Sequence, residues 1–286
     1  MIAAMPPLVA VIGPVEPALL AAFTAHYQRL GVTTFHLAFH FPDHVPQPVK
    51  APLLAAAAAL DGPPPILSEG PWHEHLHARL RDQLRTAAGP GWHLIADSDE
   101  FHAYPAPIPD MIAAAQDAGS LTIGGVLLDR VATNGSLAAW DPSVGLDATF
   151  PLGGFLTGLL LGGDPRKVVL ADSRVGLALG SHRSPGRRPA NTPPVPVHHF
   201  KWRRGIDADL RRRVAQHTAG TWREISPAIR TEAARLLEHL QAHDGRIHTA
   251  EPVTFHPVDL ATTPPWWPHA CADLLDRWRP PGSGPN

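Results

Sequence analysis

Trp92-His93-Leu94-Ile95-Ala96-Asp97-Ser98-Asp99-Glu100-Phe101 is the stretch from which the fold is read. Apolar Leu94 to Ala96 run directly into three carboxylates, Asp97, Asp99 and Glu100. A short apolar run of this kind reads as a buried strand. In an open α/β sheet, ligands bind outside the carboxyl ends of the strands. Asp97 and Asp99 are two apart, so they point the same way in a continuing strand and are able to converge in a turn. Like charges this close repel unless something positive lies between them. A divalent cation with oxygen ligands, Mg²⁺ or Mn²⁺, fills that place and commonly holds substrate phosphates as well. The simpler alternative is a solvated acidic turn that caps a helix.

Upstream, strands and helices alternate. Leu8–Ile12 reads as a strand ended by Gly13-Pro14, and Glu16–Arg29 as a helix with Pro17 in its first turn and Gly31 as its stop. Phe35–Phe39 is a second strand, Leu53–Leu60 a helix, Pro65–Leu67 a third strand and Trp72–Thr86 a helix rich in His and Arg. This β-α-β-α-β-α-β order predicts a parallel sheet with right-handed crossovers. The Gly-Pro turn after the first strand lacks the GxGxxG of a dinucleotide-binding domain. Downstream, the pattern predicts a helix over Pro109–Gly119 and a strand over Leu121–Asp129. Two short antiparallel strands follow at Lys167–Leu170 and Val175–Leu179, then a Pro/Arg-rich loop and a strand at Val197–Arg203. The rest is helical: Asp207–His217, then Pro227–Ala242 capped by Ser226, before a proline-rich tail from Pro252 that is expected to wrap the surface. The expected division is a core over 1–205 and a C-terminal helical segment with its tail over 206–286.

At 286 residues the chain is long enough for a sizeable core. A formal net charge of −2 gives no global field toward nucleic acid polymers or anionic lipid. The single cysteine, Cys271, excludes an intramolecular disulfide and a cysteine zinc cluster and fits a reducing, cytoplasmic setting. The N-terminal stretch has no basic region and is broken by four prolines, so neither a signal peptide nor a membrane span is expected there.

Several motifs, in order, carry a likeness. They are Tyr27-Gln28-Arg29-Leu30-Gly31-Val32; Ala96 to Pro105 with its Asp-x-Asp-Glu-Phe; Gly124 to Arg130 with Asn134-Gly135; Lys167-Val168; Gly180-Ser181-His182; and Val197-His198-His199-Phe200-Lys201-Trp202-Arg203. Together they resemble a GT-A fold glycosyltransferase, most closely the bacterial family 2-like proteins, over roughly residues 8–250. The resemblance implies a Rossmann-like, mostly parallel central sheet flanked by helices. It also implies transfer of a sugar from a nucleotide-sugar donor, taken to be a UDP-sugar, to a small-molecule or glycan acceptor, with Mn²⁺ or Mg²⁺. By motif match Asp97 faces ribose and metal, Asp99 holds the metal, and His198 or His199 completes its shell, with His182 as a further candidate. Ile12–Glu16 stands where family 2 enzymes carry Val-Asn-Glu, which places Glu16 among the donor contacts.

The chemistry asks for the same residue types. Lys201, Arg203 and Arg204 beside the histidines offer positive charge to a leaving diphosphate. Alternation along a strand sends His198 and His199 to opposite faces. An inverting transfer needs a carboxylate base, for which Asp129 at a strand end and Glu100 are the candidates. Asp129 paired with Arg130 is the plainer alternative. A rival motif, His73-Glu74-x-x-His77, fits a zinc hydrolase helix. A second rival is a nucleotide-binding protein that kept the fold without turnover.

Overall fold

The computed structural model describes residues 4–250 and 252–278. Its strands are β1 (Leu8–Ile12), β2 (Phe35–Phe41), β3 (Ile66–Glu69), β4 (Trp92–Ile95), β5 (Glu100–His102), β6 (Thr122–Val131), β7 (Leu152–Gly154), β8 (Arg166–Asp172), β9 (Val195–His199) and β10 (His256–Pro257). The helices are α1 (Pro17–Arg29), α2 (Gln47–Ala58), α3 (Glu74–Ala88), α4 (Ile108–Asp117), the single turn α5 (Leu146–Thr149), α6 (Ile206–Thr218), α7 (Ala228–Ala242) and α8 (Trp267–Arg277). The chain divides into two compact units, 1–125 with 167–195, and 126–166 with 196–286. This partition is discontinuous, unlike the single boundary near 205 suggested by the sequence.

The first unit is α/β, with a mostly parallel sheet ordered β8-β4-β1-β2-β3 and flanked by helices. β1 pairs in parallel with both β2 and β4, β2 with β3 in parallel, and β4 with β8 antiparallel. The expected strands at 8–12, 35–39 and 94–96 therefore share one sheet. β1 and β2 are buried at every position, which is why they read as unbroken apolar runs rather than alternating ones. α3 lays Leu76, Leu80 and Leu84, spaced by four, against Val9, Val11, Ala38 and Ile95. Burying each such leucine contributes about 1.5–3 kcal/mol.

Two expectations fail in this unit. Val175–Leu179 is not a strand. Its carbonyls are taken by arginines of α3: Arg85 donates to Asp172 and Val175, and Arg81 to Leu177 and Ala178, all at 2.8–2.9 Å. With those carbonyls satisfied by guanidinium groups, no strand partner is needed. α2 starts six residues early, at Gln47, and contains Pro52. Pro48 lies in the first turn, where proline is compatible with a helix, and Pro52 lies inside it, so the proline cluster misled the reading.

In the second unit, β6, β7 and β10 pair antiparallel, and a core of Leu156, Leu161, Trp202, Leu210, Leu236 and Leu240 joins the 156–161 segment to α6 and α7. Ser226 is exposed and does not cap α7; Pro227 occupies the N-cap and no side chain closes it. The tail does not simply wrap the surface. α8 buries Trp267, Cys271 and Leu274 against Val126, Leu128 and Phe155. Positions i, i+4 and i+7 form one helical face, which the surrounding prolines hid. Residues 279–286 of that tail lie outside the described residues.

Gly135 is the tightest backbone position here. It has φ +68°, and a Cβ on it would fall on the carbonyl oxygen of Ile247, whose amide in turn donates to Gly135 O at 2.7 Å. Left-handed backbone costs an L-residue about 1–2 kcal/mol, and overpacking adds about 1–3. Gly135→Ala is therefore expected to lower stability by about 2–5 kcal/mol, read as a shifted urea midpoint.

Candidate functional site

In the first unit, β1 runs on to β2 on one side, while β4 lies on its other side. The carboxyl ends of β1 and β4 thus flank a point where the strand order reverses, the place where open α/β sheets bind ligands. Gly13-Pro14 and Glu16 follow β1 at this point; Asp97 follows β4. Glu16 is exposed, at the N-cap of α1, and makes no capping bond.

The three carboxylates sit in a turn between β4 and β5, closed by Glu100 N donating to Asp97 O at 3.0 Å. The antiparallel register of β4 on β8 pairs Leu94 with Leu170. Three residues further on, the same register carries Asp97 opposite Lys167. The ammonium of Lys167 donates to Asp97 Oδ2 at 2.9 Å and Gly180 O at 2.9 Å, and is 2.8 Å from Glu100 Oε1. Glu100 Oε2 in turn accepts from Asp97 N at 3.2 Å. Lys167 and Glu100 are almost fully buried, while the Asp97 side chain is 33% exposed and Asp99 is half-buried. Tyr27, on α1, donates to the Glu100 carbonyl at 2.9 Å and so ties the turn to that helix.

His77 Nε2 lies 3.7 Å from Asp97 Oδ1, and His182 is a further electrostatic neighbour of Asp97. Burial raises the Asp97 pKa, but the Lys167 charge, then His77 and the Lys167 hydrogen bond, outweigh it and hold the carboxyl well below the usual range. Burial lowers the pKa of His77 more than Asp97 raises it, which favours the neutral imidazole. Burial also opposes the charge on Lys167, yet Asp97 and Glu100 lift its pKa above the ordinary lysine value.

The zinc-helix geometry is not formed. His73 is the N-cap of α3, with φ −155° and ψ 153°, and its Nδ1 accepts from Leu76 N at 2.9 Å. It is therefore outside the helical phase that would set it beside His77. The side chain of Glu74 lies outside the described residues. Among the described residues, no group of three or more His, Cys, Asp or Glu is placed to hold a metal ion by itself.

The second unit carries a separate polar centre on β6 and β9. Asp129 is fully buried and accepts four hydrogen bonds: from Thr157 N (2.6 Å), Thr157 Oγ1 (2.9 Å), His199 Nδ1 (2.8 Å) and Trp202 Nε1 (2.7 Å). Its neighbour Arg130 reaches the opposite face. There it donates to Phe150 O (2.9 and 2.6 Å), Asp147 Oδ1 (2.7 Å), Val258 O (3.1 Å) and His198 Nδ1 (2.8 Å), and lies over the Phe200 ring. The expected alternation of His198 and His199 holds.

The roles expected for these residues meet a different geometry. His198 Nδ1 faces a guanidinium, a cation where a metal was expected, so this nitrogen does not fit as a ligand. Asp129 is enclosed and saturated, which suits a carboxylate that orients His199 rather than one that collects a proton from an acceptor. Glu100 is likewise bound to Lys167. Lys201 lies 5.0 Å from the Trp202 ring, and Arg203 donates to Phe200 O at 2.6 Å, both partly buried in the second unit. Of the residues that build the acidic site, Lys167 is the one whose weight the sequence understated; its signal is a lone charge at the head of the apolar run Val168–Leu170.

No family model matches the chain, and no curated protein matches it. Solved structures similar to it include HddC from Yersinia pseudotuberculosis, at 8% identity over 46% of this chain and 60% of that one, TM-score 0.29. They also include TarS 1-349 of S. aureus in complex with UDP-GlcNAc, at 11% identity over 83% and 73%, TM-score 0.34. A third is the mannosyltransferase PcManGT from Pyrobaculum calidifontis in complex with GDP-Man and Mn²⁺, at 15% identity over 96% and 75%, TM-score 0.38. This chain spans less than two thirds of HddC. Identities and TM-scores this low transfer no residue role to it.

Replacing Lys167 by Met leaves Glu100 and Asp97 facing each other without a cation. Removing one partner of a buried pair costs about 3–5 kcal/mol. Asp97, with its pKa depressed in the folded state, contributes stability that is present above the unfolded carboxylate pKa of about 4 and is lost as pH falls below it. Denaturant titrations of parent and Lys167→Met are thus expected to differ most near neutrality and to converge as the pH drops below about 4.

Proposed function

We propose that the chain is a glycosyltransferase of GT-A type that takes its sugar from a nucleotide-sugar donor bound at the carboxyl ends of β1 and β4. The observation that carries this reading is the acidic turn, placed at the reversal of strand order and organised by a buried lysine. In it Asp97 and Glu100 close on one ammonium, Lys167, and Asp99 lies between them in the same turn. An anionic diphosphate is repelled by such a site unless one divalent cation cancels the excess. Lys167 bonds Oδ2 of Asp97 while Oδ1 lies 3.7 Å from His77, and Asp99 is partly accessible at the turn, so these two carboxylates fit as the protein's oxygen ligands. Mn²⁺ or Mg²⁺ held there supplies Lewis-acid stabilisation to a leaving diphosphate.

The chain's own residues do the positioning. Lys167 and the Tyr27 hydroxyl fix the turn, so the Asp97 carboxylate does not have to be ordered when the donor arrives. Neutral His77 borders Asp97 without adding charge. Glu16, one loop away on the neighbouring parallel strand, is assigned to the nucleoside end of the donor. The donor is taken as a UDP-sugar and the acceptor as a small molecule or glycan.

A panel of UDP- and GDP-sugars with Mn²⁺ tests the reading by thermal shift. At about a hundred times its dissociation constant, a ligand adds roughly 2.7 kcal/mol, which is about 5–10 °C for a chain of this size. The expected result is one donor that stabilises the parent in Mn²⁺, fails to do so in EDTA, and fails with Asp99→Asn. Undiminished binding in EDTA or in that variant would overturn the metal assignment. Binding with neither transfer nor hydrolysis of the donor would instead mark a nucleotide-sugar-binding protein without turnover.

A further inference from the structure

At the other end of β4, five residues and about 17 Å of strand from the acidic turn, the first unit contains a cavity of about 480 Å³. Its lining includes Asp82, Arg85 and Thr86 of α3, and Ser173, Arg174 and Val175 of the turn after β8. The volume lies in the range of small-molecule sites.

The guanidinium groups around this cavity are held in different ways. Arg81 is bonded through Nε to Asp82 Oδ1 at 3.0 Å. Arg174 forms a two-pronged pair with Asp172, at 2.7 and 3.0 Å. Arg85 differs from both: it bonds to no carboxylate, although Asp82 and Asp172 are near enough to act on its charge. It is 7% exposed, and its two terminal nitrogens donate only to backbone carbonyls, those of Val175 at 2.9 Å and Asp172 at 2.8 Å. Its Nε has no hydrogen-bond partner among the described residues. The nearby His93 gives no compensating negative charge, and its own pKa is lowered by burial and then by Arg85. Buried charges in folded proteins are ordinarily paired. A carbonyl satisfies an N–H but supplies no net opposite charge. Burial, then the charge of Arg81, lowers the Arg85 pKa against the opposing pull of Asp82 and Asp172.

We propose that this cavity is a second binding site, which takes a small molecule through a single oxyanion group, a carboxylate or a phosphoryl group, with Arg85 as its counter-charge. An oxyanion would give the Arg85 Nε the acceptor it lacks. The exposed Arg174, 67% accessible, lies at the rim, and the Ser173 hydroxyl and Thr86 lie on the walls. The site is remote from the donor crevice but built on the same two elements, α3 and β8, that carry His77 and Lys167. It stands whether or not the chain proves to be a transferase.

The test uses the full chain in EDTA, so that no divalent cation draws phosphate to the acidic turn. Melting temperatures are recorded with sodium phosphate, sodium acetate and sodium chloride at matched ionic strength. Phosphate or acetate is expected to raise the melting temperature above chloride, by roughly 3–6 °C at about ten times its dissociation constant. A rise with phosphate alone assigns a phosphoryl group; a rise with acetate assigns a carboxylate. Arg85→Met removes the charge but also two backbone bonds and is at risk of misfolding. Thr86→Glu is the sharper variant: it sets a carboxylate on the cavity wall, at an exposed helical position where Glu is well accommodated. It is expected to fold as the parent does and to lose the oxyanion effect. Equal melting temperatures in all three salts, or an undiminished oxyanion shift in Thr86→Glu, would overturn the proposal.

Discussion

An ammonium group with almost no access to water has to be enclosed by oxygen. Lys167 meets that requirement with a carbonyl and two carboxylates from two segments of the first unit: Gly180 on one, Asp97 and Glu100 on the other. Much else follows. The turn after β4 cannot drift, because two of its side chains end on one nitrogen. The loop at Gly180 cannot drift either, because its carbonyl closes the same cluster. Gly180 sits at φ +63°, and a side chain there would run into the His182 ring. The constraint that makes the acidic turn tolerable also fixes the geometry in which it meets a ligand. Solvation alone would have left those carboxylates mobile.

The second unit solves an analogous problem with opposite charges on opposite faces. Asp129 and Arg130 are consecutive on β6, and alternation sends one to each side. His199 and His198, consecutive on β9, follow them. Each charge then gathers partners of its own kind, donors round the carboxylate and acceptors round the guanidinium. Hydrogen bonds to charged groups contribute about 1.5–3 kcal/mol each, so the loss of one member is felt by every segment bonded to that residue. A carboxylate fully buried behind four donors presents no open face to an acceptor hydroxyl.

Much of this was legible in the sequence. The apolar runs of β1, β2, β4 and β6 gave away buried strands, and the acidic stretch after Ala96 marked the ligand end of the sheet. What stayed hidden depended on distant partners. Val175 and Leu177 look like strand residues, and only the reach of Arg81 and Arg85 across about ninety positions keeps that segment out of the sheet. The proline-dense tail concealed α8, because a three-residue apolar face is faint beside so many breakers. His198 and His199 looked equivalent as ligands. Their difference lies in which neighbour on β6 each one meets, a matter of register that no local pattern encodes. Lys167 was visible as a residue but not as a centre, since its importance comes from antiparallel pairing with a strand seventy residues away.

The arginine-bonded segment 172–181 has a further consequence. Arg81 and Arg85 grip it almost entirely by its carbonyl oxygens, atoms that every amino acid possesses. Its path is therefore set partly from elsewhere in the chain, while its own Val175 and Leu177 pack into the core and its Ser181 hydroxyl accepts from Arg81 as well. Change is then tolerated unevenly along it. In a lineage of related chains its solvent-facing positions would diverge while the backbone course and the buried apolar anchors stayed constant, so that the border of the acidic turn keeps its shape under a changing surface.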